Sequence, residues 1–141
     1  MSMKKLFTVF LLGAVTLVGY AQKDPEPFRA YIYNNEYDVY LRIDFYDESI
    51  TIPGQDLYGK LPGFLGKKNN TFCWVITAAE VKGHTAHLNM INDFGSEDLS
   101  ATLTVKNDSL YMLKQVEGST LKVPKNGKWQ KLPKTLEFKR R

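Results

Sequence analysis

The sequence alternates between apolar and polar residues with a period of two from residue 28 almost to its end. In the first long run the apolar side chains share one face of the predicted strand: Tyr37, Val39, Leu41, Ile43 and Phe45. Such alternation is typical of half-buried β-strands and fits no helical period. The pattern therefore predicts an all-β domain.

Turn-forming dipeptides divide the alternating region into hairpins, because their residues readily adopt positive φ. The predicted loops are Asn34-Asn35, Lys82-Gly83 or Gly83-His84, Asn107-Asp108 and Asn126-Gly127. The cross-strand pairs expected from the first, third and fourth loops are Ile32 with Tyr37, Leu103 with Met112, Thr104 with Tyr111, and Pro124 with Trp129. Sequential hairpins of this kind favour an up-and-down arrangement of strands.

We count about nine or ten short strands, and closing such a meander removes its exposed edges. The sequence therefore predicts a small antiparallel up-and-down β-barrel, with a two-sheet β-sandwich as the alternative. In strand number and length the barrel resembles the lipocalin-like (calycin) barrels, although the Gly-x-Trp motif that opens true lipocalins is missing. One central strand looks covered on both sides, with Phe72, Trp74 and Ile76 on one face and Val75, Ala86, Leu88 and Met90 on the other.

The N-terminus has the pattern of an export signal. Lys4 and Lys5 precede an uncharged apolar run over residues 6–20, and Gly19 and Ala21 form a small-x-small cleavage site. As a helix this run would span about 22 Å, which is short of the roughly 30 Å of a bilayer core. No cysteine lies near the cut, so a lipid anchor is not expected.

The expected organisation is a signal peptide over residues 1–21, a proline-containing lead-in over residues 22–27, and a single β domain over residues 28–141. The mature protein is predicted to be secreted or periplasmic, with no membrane span after cleavage. Its oligomeric state does not follow from the sequence.

Charge is distributed unevenly along the mature chain. Residues 22–117 contain 9 basic and 14 acidic residues, whereas residues 118–141 contain 8 basic residues and 1 acidic residue. The basic segment is either a surface for anionic partners or a set of edge strands whose lysines prevent pairing with other molecules, and we favour the latter. Nucleic acid is not an expected partner, since export and the small number of rings in this segment argue against it.

No catalytic motif is recognisable, and we expect neither an enzyme nor a cofactor. Cys73 lies within an apolar run and is expected to be a buried packing residue. His84 and His87 are three residues apart, and on a strand this spacing points them to opposite faces. A metal site is therefore not predicted.

Tyrosine and arginine are concentrated on the polar faces of the first two strands, which carry Tyr31, Tyr33, Tyr40, Tyr46, Arg29 and Arg42. Tyrosine is amphipathic and common at recognition surfaces, but it is also a favoured strand residue. The predicted ligand-binding residues are Tyr40 and Arg42 on this outer face or rim, and Phe72 and Trp74 near the interior.

The leading hypothesis is an exported, non-enzymatic binding protein, for which a small apolar or amphipathic ligand held inside the barrel is one possibility. The alternative is an inhibitor or immunity-type protein that binds a hydrolase or toxin through its loops. The candidate loops are residues 59–66 and 92–98.

Overall fold

The computed structural model describes residues 26–54, 56–92 and 94–141, so the predicted signal peptide lies outside the described residues. A 3-10 turn covers Asp56–Tyr58. The described chain forms twelve β-strands: β1 (Arg29–Asn34), β2 (Val39–Asp44), β3 (Ile50–Thr51), β4 (Lys60–Leu61), β5 (Gly63–Lys67), β6 (Cys73–Lys82), β7 (Thr85–Asn92), β8 (Asp98–Val105), β9 (Leu110–Gly118), β10 (Lys122–Lys125), β11 (Lys128–Lys131) and β12 (Thr135–Arg140).

Eight of these strands form a closed antiparallel barrel in the order β1-β2-β5-β6-β7-β8-β9-β12, with β12 paired to β1. Each barrel strand pairs with the barrel strand that follows it in the chain, so the topology is up-and-down. The remaining four strands form two ribbons, β3–β4 and β10–β11, inserted between consecutive barrel strands. The predicted barrel is confirmed, and the sandwich alternative is wrong.

The period-two alternation sorts side chains between the inside and the outside of the barrel. On β2, Val39, Leu41 and Ile43 are buried in the main core, while Tyr40 and Arg42 point outward. The largest fully buried side chains of this core come from seven of the eight barrel strands and from the segment before β1: Phe28, Ile32, Leu41, Ile43, Leu65, Trp74, Ile76, Leu88, Met90, Tyr111 and Phe138. The barrel interior is therefore filled by side chains.

The two ribbons cover different parts of the barrel. Leu121, Val123 and Leu132, on or beside β10–β11, belong to the main core, so this ribbon folds over one end of the barrel. The β3–β4 ribbon instead leads to Ile52, which packs on outward-facing Phe64 and Val75 in a second, smaller core. This outer core explains why β6 begins with residues buried on both faces.

Two of the predicted hairpins have the expected geometry. Pro124 pairs with Trp129 around a loop in which both Asn126 and Gly127 have positive φ. The β6–β7 loop is Gly83-His84, which was one of the two expected positions. In both loops the local sequence fixes the backbone conformation, and the pairing follows from it.

The predicted register of the first hairpin is wrong. Ile32 pairs with Leu41 rather than Tyr37, because the loop contains four residues instead of two. The Asn34 side chain accepts a hydrogen bond from the Tyr37 N–H at 2.7 Å, and Asp38 adopts a positive φ of 54°. The shift is even-numbered, so every side chain keeps its predicted face.

The predicted register of the β8–β9 hairpin is wrong by one residue, and here the faces change. Leu103 pairs with Leu113 rather than Met112, while Tyr111 is fully buried. The Asn107 side chain accepts hydrogen bonds from the N–H groups of Ser109 and Leu110, which lengthens the loop. A shift by an odd number of residues moves every side chain of one strand to the opposite face relative to its partner strand.

The predicted face of Val75 also requires correction. Ala86, Leu88 and Met90 share the interior with Trp74 and Ile76, whereas Val75 lies in the outer core. The side chains of directly paired residues lie on the same face, and Met90 pairs with Ile76. The register shifts between Ile76 and Ala78, and beyond this irregularity Leu88 and Ala86 of β7 still face the interior.

Candidate binding site

The structure separates the four predicted ligand-binding residues into two places. Tyr40 and Arg42 lie together on the outside of β2. Trp74 is fully buried in the interior, and Phe72 lies at the end of the barrel beneath the β10–β11 ribbon. The two pairs therefore do not form one site.

Trp74 has a structural partner for its polar atom. The indole Nε1–H donates a hydrogen bond to the carbonyl oxygen of Lys122 at 2.9 Å, which joins β6 to the covering ribbon. Similarly, the hydroxyl of buried Tyr111 donates to the carbonyl oxygen of Pro27 at 2.6 Å. The polar atoms of these interior rings are thus satisfied within the fold.

The outer face is assembled by strand register. Tyr31 on β1 is directly opposite Arg42 on β2, and Arg42 is opposite Phe64 on β5. In the next row, Tyr33 is opposite Tyr40, which is opposite Gly66. Residues directly opposite one another share a face, so the sheet places these rings side by side.

Gly66 makes room for the Tyr40 ring. A Cβ atom at position 66 would overlap the outer end of the Tyr40 side chain, so the ring lies across the backbone of β5. Its neighbours contact it edge to face, with ring-centre distances of 5.4 Å to Tyr31 and 5.8 Å to Phe64. These contacts fix Tyr40 as part of the floor of a groove.

This groove, which we call the tyrosine groove, has a volume of about 460 Å³. It is lined by Tyr31, Tyr33, Tyr40, Arg42, Pro53, Phe64, Lys68, Asn69 and Arg141. Arg42, Lys68 and Arg141 supply three positive charges, and none of them forms an ion pair with another described residue. The Arg141 guanidinium lies 4.3 Å from the centre of the Tyr33 ring.

The side chain of Asp38 brings a carboxylate to the edge of the tyrosine groove. Asp38 accepts a hydrogen bond from the Tyr33 hydroxyl at 3.0 Å. Burial raises the pKa of Tyr33, and the bond to Asp38 raises it further. Burial likewise raises the pKa of Tyr40. Both phenols therefore keep their protons at neutral pH, and positive charge dominates the groove.

A second groove continues from the first, because Tyr31 and Arg42 line both. We call it the Asp44 groove; its volume is about 520 Å³. Apart from the shared Arg42, its charges are already paired: the Arg29 guanidinium contacts the carboxylates of Asp44 at 3.3 Å and Asp47 at 2.6 Å. The surface of this second groove is polar but largely neutralised.

Asp44 itself is held by the fold. Burial raises its pKa, but hydrogen bonds from the Ser49 hydroxyl and from the N–H groups of Asp47 and Tyr46, together with Arg29, lower the pKa from 3.8 to about 2. The net effect is a carboxylate that stays charged although only 3% of the residue is exposed. Asp44 therefore anchors the chain after β2.

The end of the barrel next to the β10–β11 ribbon carries a different feature, which we call the aromatic tip. Phe94 is 72% exposed and Trp129 is 52% exposed, and both contact the buried ring of Phe72, with centre distances of 6.0 Å and 5.1 Å. Two exposed rings supported by a buried one are a feature of protein contact surfaces.

The other candidates from the sequence lie apart from these surfaces. His84 lies in the β6–β7 turn, and His87 is on the exposed face of β7. Cys73 is buried, as expected. Within residues 26–54, 56–92 and 94–141, no three His, Cys, Asp or Glu residues are grouped to hold a metal ion. In the same part of the chain we find no helix long and apolar enough to cross a membrane.

Sequence reasoning found Tyr40 and Arg42 but missed Phe64, Lys68 and Arg141. These residues join the groove only because β5 and β12 flank the first hairpin in the barrel. Gly66 was noted only as the last residue of the candidate loop over residues 59–66. Knowing the register of β5 would have placed Gly66 opposite Tyr40 and so pointed to the groove.

Comparison of the chain with protein-family models, with curated proteins and with solved structures finds no match. The class that the structure defines is thus a small, closed, eight-stranded antiparallel β-barrel.

Proposed function

We propose that this chain is an exported, non-enzymatic binding protein that holds its ligand on the outside of the barrel, in the tyrosine groove. The observation that carries the proposal is the set of three cations, Arg42, Lys68 and Arg141, around exposed and half-exposed tyrosine rings with no ion-pair partner among the described residues. Unpaired cations beside rings favour a ligand with a negative charge and a less polar face.

Packing supports an outer position for the ligand. A ligand inside the barrel would have to displace buried side chains of the main core, such as Trp74, Tyr111 or their aliphatic neighbours. The tyrosine groove needs no such rearrangement, and its volume is within the range of about 300–1,000 Å³ typical of small-molecule sites. A small amphipathic ligand, as the sequence suggested, would fit this groove if its charge were negative.

The proposal is tested by native mass spectrometry of the full chain purified from its own host. We expect a bound anionic small molecule, and we expect Arg42→Gln to reduce its occupancy. Lys128→Gln is a matched control, because Lys128 is exposed on the ribbon and forms no ion pair with a described residue. A ligand retained equally by both variants would contradict binding in the tyrosine groove.

Export is a separate part of the proposal. The basic start, the apolar run and the small-x-small site predict that the mature chain begins at Gln22. Intact mass measurement of the protein recovered from the periplasm or medium tests this prediction. A mass that includes residues 1–21 would contradict cleavage at Ala21.

The aromatic tip favours a second candidate function, that of an inhibitor or immunity-type protein. Of the two loops suggested for this role, residues 59–66 contain β4 and most of β5, whereas residues 92–98 carry exposed Phe94. Phe94 and Trp129 would be anchors for a protein partner. A stoichiometric protein complex that is lost in the Phe94→Ala, Trp129→Ala double variant, and retained in Arg42→Gln, would favour this function over the first.

A further inference from the structure

We infer that the ligand of the outer face is an acidic oligosaccharide, with an acidic sugar in the tyrosine groove and a neutral sugar in the Asp44 groove. This inference rests on the proposed function, since it names the ligand class for the same face. It depends on the different electrostatic character of two grooves that are physically continuous.

The charged side chains of the tyrosine groove favour a negatively charged ligand. Among the described side chains, Arg42, Lys68 and Arg141 line the groove and the carboxylate of Asp38 lies at its edge, where it already accepts a hydrogen bond from the Tyr33 hydroxyl. Arg42 offers a planar guanidinium that matches a carboxylate or sulfate. A ligand anion would therefore supply the charge that the described residues do not.

The same groove offers surfaces suited to a sugar ring. Tyr31 is 42% exposed and meets Tyr40 at an interplanar angle of 62°, so a ring face and a ring edge are presented together. Tyrosine combines an apolar ring with a hydroxyl that donates and accepts hydrogen bonds. A pyranose has the complementary character, because C–H groups form one part of its surface and hydroxyls form the rim.

The Asp44 groove has a different requirement. Arg29 forms ion pairs with three carboxylates, those of Asp44, Asp47 and Glu26, so its charge is not free to bind an anion, and the Ser49 hydroxyl donates to Asp44. An acyl chain laid here would desolvate these paired charges without replacing their contacts with water. A neutral sugar would keep them hydrogen-bonded through its hydroxyls. This groove is the reason for choosing an oligosaccharide over an amphipathic lipid.

Continuity of the grooves sets the length of the ligand. Tyr31 and Arg42 are opposite one another in the β1–β2 ladder and separate the two grooves while lining both. A ligand that occupies both must cross this pair. At least two linked sugars are needed for that, and a single acidic sugar would leave the Asp44 groove empty.

The experiment measures binding to the full mature chain by NMR, with amide resonances of β1, β2 and β5 as reporters. The three probes are a tetrasaccharide of alternating glucuronate and N-acetylglucosamine, its carboxyl-reduced neutral counterpart, and dodecyl phosphate below its micelle concentration. We expect the acidic tetrasaccharide to shift resonances in both grooves. Carboxyl reduction and Arg42→Gln should each weaken it about tenfold or more, while Lys128→Gln should have no effect.

Three outcomes would overturn the inference. Equal binding of the carboxyl-reduced tetrasaccharide would show that charge is not recognised. Shifts caused by dodecyl phosphate alone, and lost in Arg42→Gln, would refute the oligosaccharide while leaving the proposed binding function intact. If no probe shifts these resonances, the oligosaccharide is refuted, and the host-purified protein decides the proposed function independently.

Discussion

The rings inside the barrel and the rings on its outer face contribute differently to the molecule. Trp74 is fully buried, and its N–H group is bonded to the covering ribbon. Tyr31 is 42% exposed and contacts Tyr40 in a groove that remains open to solvent. Aromatic residues in this small barrel therefore do not by themselves show where a ligand could bind. Interior rings stabilise the fold, and the outer rings are available to a ligand.

Removing an interior ring should have the largest effect on stability. Trp74→Ala deletes a fully buried indole and leaves a cavity, and we expect it to lower the free energy of unfolding by about 3–5 kcal/mol. Tyr31→Ala on the outer face should cost less than about 1 kcal/mol. Urea denaturation followed by circular dichroism measures both. Equal losses would break the distinction between the two sets of rings.

Asp44 differs from the other charged residues near the outer face, because its charge stabilises the fold. Its pKa of about 2 in the folded state lies below the ordinary value of 3.8, so the charged form stabilises the fold above about pH 4. This stabilisation, about 2 kcal/mol, should be lost as the pH falls from about 4 to about 2. Asp44→Asn should already lack it at neutral pH and show a flatter pH profile; an unchanged profile would refute the assignment.

Gly66 links the shape of the groove to the backbone of β5. Gly66→Ala should cost about 1 kcal/mol, at the low end for overpacking, because the Tyr40 ring can swing away from the added methyl group. The displaced ring should weaken ligand binding. In a Tyr40→Ala background the same substitution should cost nothing, and a double-mutant cycle of unfolding free energies measures the difference. Additive costs would mean that the ring does not lie against Gly66.

Arg42 should show the smallest effect on stability. The side chain is exposed and forms no ion pair with another described residue, so Arg42→Gln should change the free energy of unfolding by less than about 0.5 kcal/mol. Calorimetric titration should nevertheless show ligand affinity falling about tenfold. If Arg42→Gln lost stability and retained its ligand affinity, Arg42 would contribute to folding and not to binding.

The fold could be predicted to the extent that local residues determine it. Alternation identified the strands and, in the first hairpin, their faces, whereas the faces predicted for β9 and for Val75 were wrong. Asn126-Gly127 determined its hairpin because both residues adopt positive φ. Asn34 and Asn107 also start turns, but their side chains bond N–H groups further along the chain. These bonds lengthen the loops, and loop length sets the register.

The candidate site could be predicted only in part. Tyr40 and Arg42 were found because both lie on one polar strand face. Lys68 and Arg141 are distant in sequence and reach the groove through barrel closure. Nor did the sequence reveal that Phe72 supports an exposed Phe94 and Trp129, because segments from three parts of the chain meet there.

The ladder that closes the barrel is the shortest of its eight. β1 and β12 share two residue pairs, Ile32 with Arg140 and Tyr33 with Lys139. We therefore expect this β1–β12 seam to open to water more easily than the longer ladders. The tyrosine groove spans the seam, since Tyr33 lies on β1 and Arg141 follows β12. A bound ligand would tie the first barrel strand to the last and slow amide hydrogen exchange along both.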